Sequence, residues 1–539
     1  MPNLQSHLTV LQATAKRFPS RPVYKVANVN GDEIEHWTPI TYSQFLHDIE
    51  VSARRWTRVL RQLRVPPRSV IGLWLGGLNY MDATTIYGLT RAGYIPQMFS
   101  LRLPDPTIVI ELLQKATARA IFYDTAYAPD LAAFGCPVPT LTITDLLMAD
   151  ITSEPLPAMP LAETGEETVF IFHTSGSTSG SPKLIPCSFK WLDAMITKGY
   201  ACVIPRRPDV QDVNVWMGSM CHIGQNFMFW GAMQHGTCTI IPTRIDYNSP
   251  ELVNMVHHGG LNRINAFPPF LCTHLRNARQ DPKLLAILKG LDDILYSGLE
   301  LPQETDDWCR ANGLKLTNIY GSTEVGAMML SNHDPLPNGR FLRPMEGTQY
   351  GFFPTSSESE TESGHVDVHS RLLECVILSS SPDCPDKSLR AADGHYHTGD
   401  LFAEVAPGAY VFRGRNDDWI KSENSLRVDT KSIEDNVRTT CKGLISDCIV
   451  VGTGRPCPAL FVEPAVDIDH AKLKKEILRR IKPFHTRRYL HERITSTNCI
   501  VVVPANTLPR TSTKGNIRRK AVEEQFRAVL DLMHGRPAI

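Results

Sequence analysis

Thr168-Val169-Phe170-Ile171-Phe172 leads directly into His173-Thr174-Ser175-Gly176-Ser177-Thr178-Ser179-Gly180-Ser181-Pro182-Lys183. The apolar run predicts a short buried strand. The stretch after it predicts a loop with two glycines, six hydroxyls and a closing lysine. Glycines let backbone N–H groups converge on an anion, hydroxyls add donors, and the lysine adds positive charge. A strand that empties into such a loop is built to hold phosphate. It is not the Walker loop, which needs Gly-x-x-x-x-Gly-Lys-Ser/Thr; here the lysine follows a proline. A solvated surface loop is the alternative reading.

The same strand-then-small-residue pattern recurs along the chain. Thr41 to Leu63 predicts an amphipathic helix opening at a threonine cap. Val70 to Leu75 predicts a buried strand, Tyr80 to Ala92 a helix stopping at Gly93, and Tyr94 to Met98 the next strand. Such alternation predicts a largely parallel α/β sheet over residues 1–150. Further on, strands are predicted at Val213 to Met220, Thr237 to Pro242, Arg263 to Phe267, Ile294 to Gly298 and Leu316 to Gly321, with a helix at Phe227 to His235. Strand ends followed by small residues are where α/β proteins put ligands.

At 539 residues the chain exceeds one hydrophobic core, so at least two domains are expected. Thr355 to Ser363 is polar and acidic and reads as a solvated loop. From Arg390 glycines and charges crowd together, which marks the approach to a smaller domain. There a helix at Lys472 to Ile481 and strands at Cys448 to Val451 and Ile500 to Val503 predict an α+β mixture. The expected architecture is α/β (α+β): a large domain of β-sheets flanked by helices over 1–416, and a small mobile one over 417–539.

Lys+Arg and Asp+Glu both number 56, a balance that argues against a nucleic-acid binder. No run of 18 apolar residues marks a membrane span. Leucines at 4, 8 and 11 have helical spacing, not the unbroken apolar core of a signal peptide. Thirteen cysteines without Cys-x-x-Cys pairs suggest reduced thiols and a cytoplasmic setting.

Three more motifs bear on chemistry. In Asn318-Ile319-Tyr320-Gly321-Ser322-Thr323-Glu324, a carboxylate just past a strand end could hold Mg2+; a helix N-terminal charge is the plainer alternative. In Tyr396-His397-Thr398-Gly399-Asp400, an aspartate after a Thr-Gly turn can accept from two ribose hydroxyls, or merely cap the turn. In Leu508-Pro509-Arg510-Thr511-Ser512-Thr513-Lys514-Gly515, a lysine on a glycine turn can be delivered to a site as a mobile charge, or lie in a basic surface loop.

Together with the serine/threonine/glycine loop, and in this order, these motifs resemble those of the adenylate-forming superfamily: acyl-CoA synthetases, peptide-synthetase adenylation domains and luciferases. The resemblance runs from about residue 20 to about 525. His173 to Ser177, Ser381-Pro382-Asp383-Cys384-Pro385, His397 to Phe402 and Arg415 to Arg427 look most like fungal peptide-synthetase-like domains that activate carboxylic acids. The resemblance implies that Thr174, Ser175, Gly176, Ser177 and Thr178 wrap the ATP phosphates, supported by Lys183. It puts Asn318 and Tyr320 at adenine, Thr323 at the α-phosphate, Glu324 on Mg2+, and Asp400 and Arg415 at the ribose. Asp417 becomes the hinge and Lys514 the catalytic lysine, with Lys520 as alternative. The implied reaction forms an acyl-AMP from ATP and a carboxylic acid, then passes the acyl group to the thiol of CoA or of a carrier protein's phosphopantetheine.

The pattern departs in three places. The phosphate loop is one residue longer than usual between Thr178 and Lys183. The terminal motif reads Lys-Gly where most relatives have Gly-Lys. After Lys421 the usual glycine is replaced by Asn424 or Ser425, which leaves the acceptor open. Relatives that activate amino acids place an aspartate where Met220-Cys221-His222-Ile223 falls. Its absence argues against a buried ammonium and for an aryl or other small non-amino acid. His222 then resembles the histidine of aryl and acyl ligases, or is a satisfied core histidine. Phe267, Ser297, Gly298 and Ser322 are expected to line the acyl pocket. No carrier or reductase motif follows, so the chain is expected to be a free-standing ligase or the first domain of a longer enzyme. A non-catalytic nucleotide-binding protein is the remaining alternative.

Overall fold

The computed structural model describes residues 4–31, 33–99, 106–125, 131–174, 183–332, 337–355, 372–416, 419–421, 427–486, 492–511 and 515–534. A six-stranded sheet runs in the order Thr140–Thr142, Ala120–Tyr123, Val70–Trp74, Ile95–Phe99, Thr168–Thr174, Lys183–Ser188. Every neighbouring pair is parallel except the last, in which Thr174 stands opposite Lys183. The two ends of the serine/threonine/glycine stretch are therefore held together by a strand pair. Residues 175–182 themselves lie outside the described residues, as do Asp417, Lys514 and most of the acidic stretch from Thr355.

The helices against this sheet follow from their apolar spacing. In Tyr42–Gln62, Thr41 caps the start by accepting from the Gln44 N–H, and Phe45, Ile49, Trp56 and Leu60 go fully into the core. Phe189–Cys202 and Ile223–Gln234 pass so closely that a Cβ on Gly231 would lie 2.2 Å from the Gly199 carbonyl oxygen. Only glycine permits that approach.

Two further sheets meet at one seam. One runs Glu33–Thr41, Pro22–Asn30, Cys238–Ile241, Val213–Val215; the other runs Arg263–Ala266, Asp293–Ser297, Leu316–Ser322, Gly326–Leu330, Arg343–Pro344. At the seam the Asn262 N–H donates to the Val213 carbonyl at 3.0 Å, and the Asn262 side-chain oxygen accepts from the Val213 N–H at 2.7 Å. Arg263, 4 % exposed, pairs with Asp212 at 2.9 Å and Asp293 at 2.8 Å. A buried cation with two carboxylates is costly to break from either side, so this triad locks the seam.

A four-stranded antiparallel sheet, Tyr350–Pro354, Leu372–Ile377, Tyr396–Ala406 and Ala409–Arg415, follows. After the short pair Trp419–Lys421 and Arg427–Asp429, a three-stranded sheet (Ile445–Val451, Ala459–Pro464, Ile500–Val502) packs with helices Thr430–Thr440 and His470–His485. No helix among the described residues is long and apolar enough to cross a membrane.

The structure corrects several sequence expectations. Residues 1–150 include an antiparallel pair, Pro22–Asn30 with Glu33–Thr41, turned at Gly31 with φ +63°. Only Val213–Val215 of the predicted Val213 to Met220 strand pairs. The chain then bends toward the six-stranded sheet, where the Met220 N–H donates to the Gly77 carbonyl. The helix predicted from Phe227 starts at Ile223.

Candidate active site

Leu316–Ser322 and Gly326–Leu330 form a tight hairpin that carries the Asn318 to Glu324 motif. The turn leaves no room for a side chain at Gly321, whose Cβ would lie 2.3 Å from the Gly326 carbonyl oxygen. Glu324 sits in the turn, not at a helix start. Trp191 Nε1 donates to its backbone oxygen at 2.9 Å, and the Tyr396 hydroxyl reaches its carboxylate. Lys198 Nζ donates to the next carbonyl, that of Val325, at 2.6 Å. Ser322 Oγ is buried with no partner among the described residues. The oxygens at this turn are hydroxyl and carboxylate, a set that suits Mg2+.

Asp400 reaches this hairpin from a strand 80 residues away. It lies inside Tyr396–Ala406, not after a free turn, and the strand bulges there. Between the pairs Val376 with His397 and Glu374 with Leu401, the three residues Thr398, Gly399 and Asp400 face the single Cys375. Thr398 Oγ1 donates to the Cys375 carbonyl at 2.7 Å and accepts from the Asp400 N–H at 3.0 Å. Gly399 takes φ +69°, a conformation that favours glycine. The bulge aims the Asp400 carboxylate at the Tyr320 hydroxyl, which donates to it, and at Arg415 Nη1, 3.3 Å away. Burial and the neighbouring Asp400 charge push the Tyr320 hydroxyl pKa well up, so it stays a donor. The Tyr320 ring is bracketed by Phe402 at 5.1 Å and Phe412 at 5.5 Å.

At the root of the phosphate-type loop, His173 Nδ1 lies 2.9 Å from the Met98 carbonyl and Nε2 lies 3.1 Å from Gln97 Nε2. Nδ1 therefore carries the proton and Nε2 accepts. Desolvation pushes the ring pKa down to about 4, and the ring stacks on Phe99 at 4.6 Å. Thr174 and Lys183 mark the loop's two ends, Lys183 exposed.

His222 is the N-cap of Ile223–Gln234, its Nδ1 accepting from the Gly224 N–H at 3.2 Å. A neutral ring held this way presents its Nε2–H as donor. Phe267 ends the strand Arg263–Ala266 and is half-buried; Ser297 and Gly298 end the strand Asp293–Ser297. The built Cβ of Gly224 lies 3.4 Å from His222 Nδ1 and 4.0 Å from Phe267 Cζ, so the two rings flank one point.

Residues 512–514 lie outside the described residues, and the residues on either side of them are hydrogen-bonded to one another. The Thr511 N–H donates to Asn516 O at 2.8 Å and the Gly515 N–H to Thr511 O at 3.0 Å. Arg510 pairs with Asp447 at 2.8 Å and with Glu463 at 2.5 Å. Lys520 is exposed at the start of the helix Arg519–Gln525.

Sequence reasoning missed the shell behind Glu324. Asp383, fully buried, pairs with Lys198 at 2.7 Å and accepts from Tyr350 and from Ser381 Oγ. The stretch Ser381-Pro382-Asp383 was a signal in the sequence, but nothing in it named Lys198 as its partner.

Tyr320, Asp400, Arg415 and Glu324 thus meet at one place, and comparison with known proteins gives that place a family. The AMP-binding enzyme family matches residues 11–350, and the AMP-binding enzyme C-terminal domain matches residues 417–536. The chain belongs to the AMP-binding enzyme family. It is 35% identical over 518 residues to the AMP-binding domain-containing enzyme iboA of Amanita muscaria, covering 94% of this chain and 98% of that one. It is 24% identical to an adenylate-forming reductase of Serpula lacrymans, covering 83% of this chain but 42% of the relative. The chain therefore spans less than half of that reductase. Its fold matches that of o-succinylbenzoate CoA synthetase from Bacillus subtilis, solved with its acyl-adenylate intermediate: TM-score 0.74, 14% identity, 97% and 99% of the two chains covered. This AMP-binding enzyme is adenylate-forming, and its relatives include fungal peptide-synthetase-like enzymes.

Proposed function

We propose that the protein activates a small non-amino carboxylic acid with ATP, releasing pyrophosphate, and passes the acyl group to the thiol of CoA or a carrier-bound phosphopantetheine. The observation that carries this reading is the meeting of the Tyr320–Asp400–Arg415 cluster with the Glu324 turn. In the reading Asp400 and Arg415 bind the ribose, while Asn318 and Tyr320 bind adenine. Thr174 to Thr178 and Lys183 hold the leaving phosphates. Thr323 meets the α-phosphate.

In the first step a carboxylate oxygen attacks the α-phosphorus and the bond to pyrophosphate breaks. Two anions approach, so the chain's task is positioning and fixed positive charge. Lys514 supplies that charge. Mg2+ held at Glu324 would neutralise phosphate charge. His222, at the start of the helix Ile223–Gln234, orients the acid. No carboxylate stands at 220–223 to receive a substrate ammonium, which favours a non-amino acid. We place the large domain at 1–416 and the mobile one at 417–539, with Asp417 as the hinge that withdraws Lys514 before thiol attack.

The test is acid-dependent exchange of pyrophosphate into ATP. Exchange with at least one carboxylic acid is expected, falling at least about a hundredfold in Lys514→Ala. Exchange that survives Lys514→Ala but collapses in Lys520→Ala reassigns the lysine. No exchange with any aryl, keto or aliphatic acid overturns the reading.

A further inference from the structure

We infer that Phe267 is the stop of the acyl pocket and limits the acid to a single ring or a chain of similar size. The inference rests on the adenylation reading above and sharpens its substrate class.

Three segments converge where the acid is placed. One is the bend after Val213–Val215, which holds Gly218, His222 and Gly224. The second is Phe267, just after Arg263–Ala266. The third is Ser297, which ends Asp293–Ser297, with Gly298 just after it. The Phe267 ring is wedged between the outer two. A Cβ built on Gly218 would lie 3.1 Å from Phe267 Cε2, and one built on Gly298 would lie 3.3 Å from Cδ1. Both are tighter than ordinary carbon contact. Opposite edges of one ring thus face the two glycine positions with no room for a methyl group at either.

This bears on size in a definite way. Gly218 in the bend and Gly298 after the strand put no side chains between them, which would leave space there for a longer acid. Here that space is filled from within by an aromatic side chain. The ring is not core filler alone, because it remains half-buried while its neighbours Ala266 and Pro268 are buried. On one side Gly298 has φ +91°, which other residues rarely adopt, so that side is kept free of a side chain. The seam triad of Asp212, Arg263 and Asp293 fixes the strands beneath it. An acid with its carboxylate toward the Glu324 turn therefore meets the ring after a short body.

The decisive measurement is acid-dependent ATP–pyrophosphate exchange over a graded series: acetate, butyrate, benzoate, 2-naphthoate and 4-phenylbenzoate. The native protein should use one or more of the first three at least about tenfold better than the last two. Phe267→Ala should shift that ratio toward the large acids by about tenfold or more, the scale expected for pocket volume. Phe267→Leu should shift it less, and carries the test if the alanine variant loses its thermal transition. Gly218→Ala should shift it the other way. Native use of 4-phenylbenzoate as good as of benzoate, or an unchanged ratio in both Phe267 variants, overturns the inference and leaves adenylation standing. Exchange with none of the five, nor with any wider set, overturns adenylation itself and the inference with it.

Discussion

Asp400 owes its usefulness to groups that were invisible in its own motif. The Tyr320 hydroxyl and Arg415 approach its carboxylate from two sides, and the Thr398 hydroxyl holds its N–H. A hydrogen bond to a charged group contributes about 1.5–3 kcal/mol, so each neighbour matters separately. Tyr320→Phe removes one donor but keeps the ring between Phe402 and Phe412. It should raise the KM for ATP by about tenfold while kcat falls less. Asp400→Ala removes the carboxylate shared by Tyr320 and Arg415 and should bring exchange to background. Equal, small effects on KM in both variants would count against Asp400 as the ribose ligand. The residue types were legible in sequence because aspartate after Thr-Gly is distinctive. The bulge that aims it was not, because three residues facing one is a property of strand pairing. The Lys198–Asp383 pair was equally hidden, since its members lie 185 residues apart and only folding makes them neighbours.

At the scale of elements, the parallel strands and their helices could be read from apolar spacing, whereas bends and tight pairs could not. The strand expected to reach Met220 stops at Val215 because tertiary hydrogen bonds to Gly76 and Gly77 draw the chain away. In the terminal Lys-Gly pair, Gly515 takes φ +67°, a conformation that favours glycine at that position. Arg510, just before the terminal motif, bridges to Asp447 and to Glu463, which is 1 % exposed on its side chain. Its loss leaves a buried carboxylate without its cation, a costly state. Arg510→Ala should slow adenylate formation by about tenfold or more and lower the thermal midpoint. Thiol capture of a preformed acyl-adenylate should change little, because Lys514 is assigned to the first half-reaction alone. A variant slowed equally in both halves would show that Arg510 supports the small domain and not Lys514.

For the whole molecule, the hydrophobic clusters divide the chain. Among the described residues, those built from positions up to 412 share no member with those built from 420 onward. Separate cores are what allow one part to turn against the other, and they support a hinge at Asp417. The sequence supplies a reporter at that point. Of eight tryptophans, seven lie at or before Trp308, and Trp419 stands alone two residues past the proposed hinge. Its Nε1 donates to the Arg413 carbonyl at 3.0 Å, across Asp417. Rotation about Asp417 must change that hydrogen bond and the ring's exposure, while the other seven tryptophans stay within the large part. Intrinsic fluorescence should therefore be steady while acid and ATP form the adenylate, then shift when a thiol acceptor is added. The shift should vanish in Trp419→Phe, which keeps the aromatic body but has no N–H. It should also slow or vanish when Asp417 is replaced by proline, whose fixed φ stiffens a hinge. A shift that persists in Trp419→Phe would place the moving tryptophan elsewhere. No shift with any acceptor, in a protein that makes thioester, would mean that transfer proceeds without this rotation.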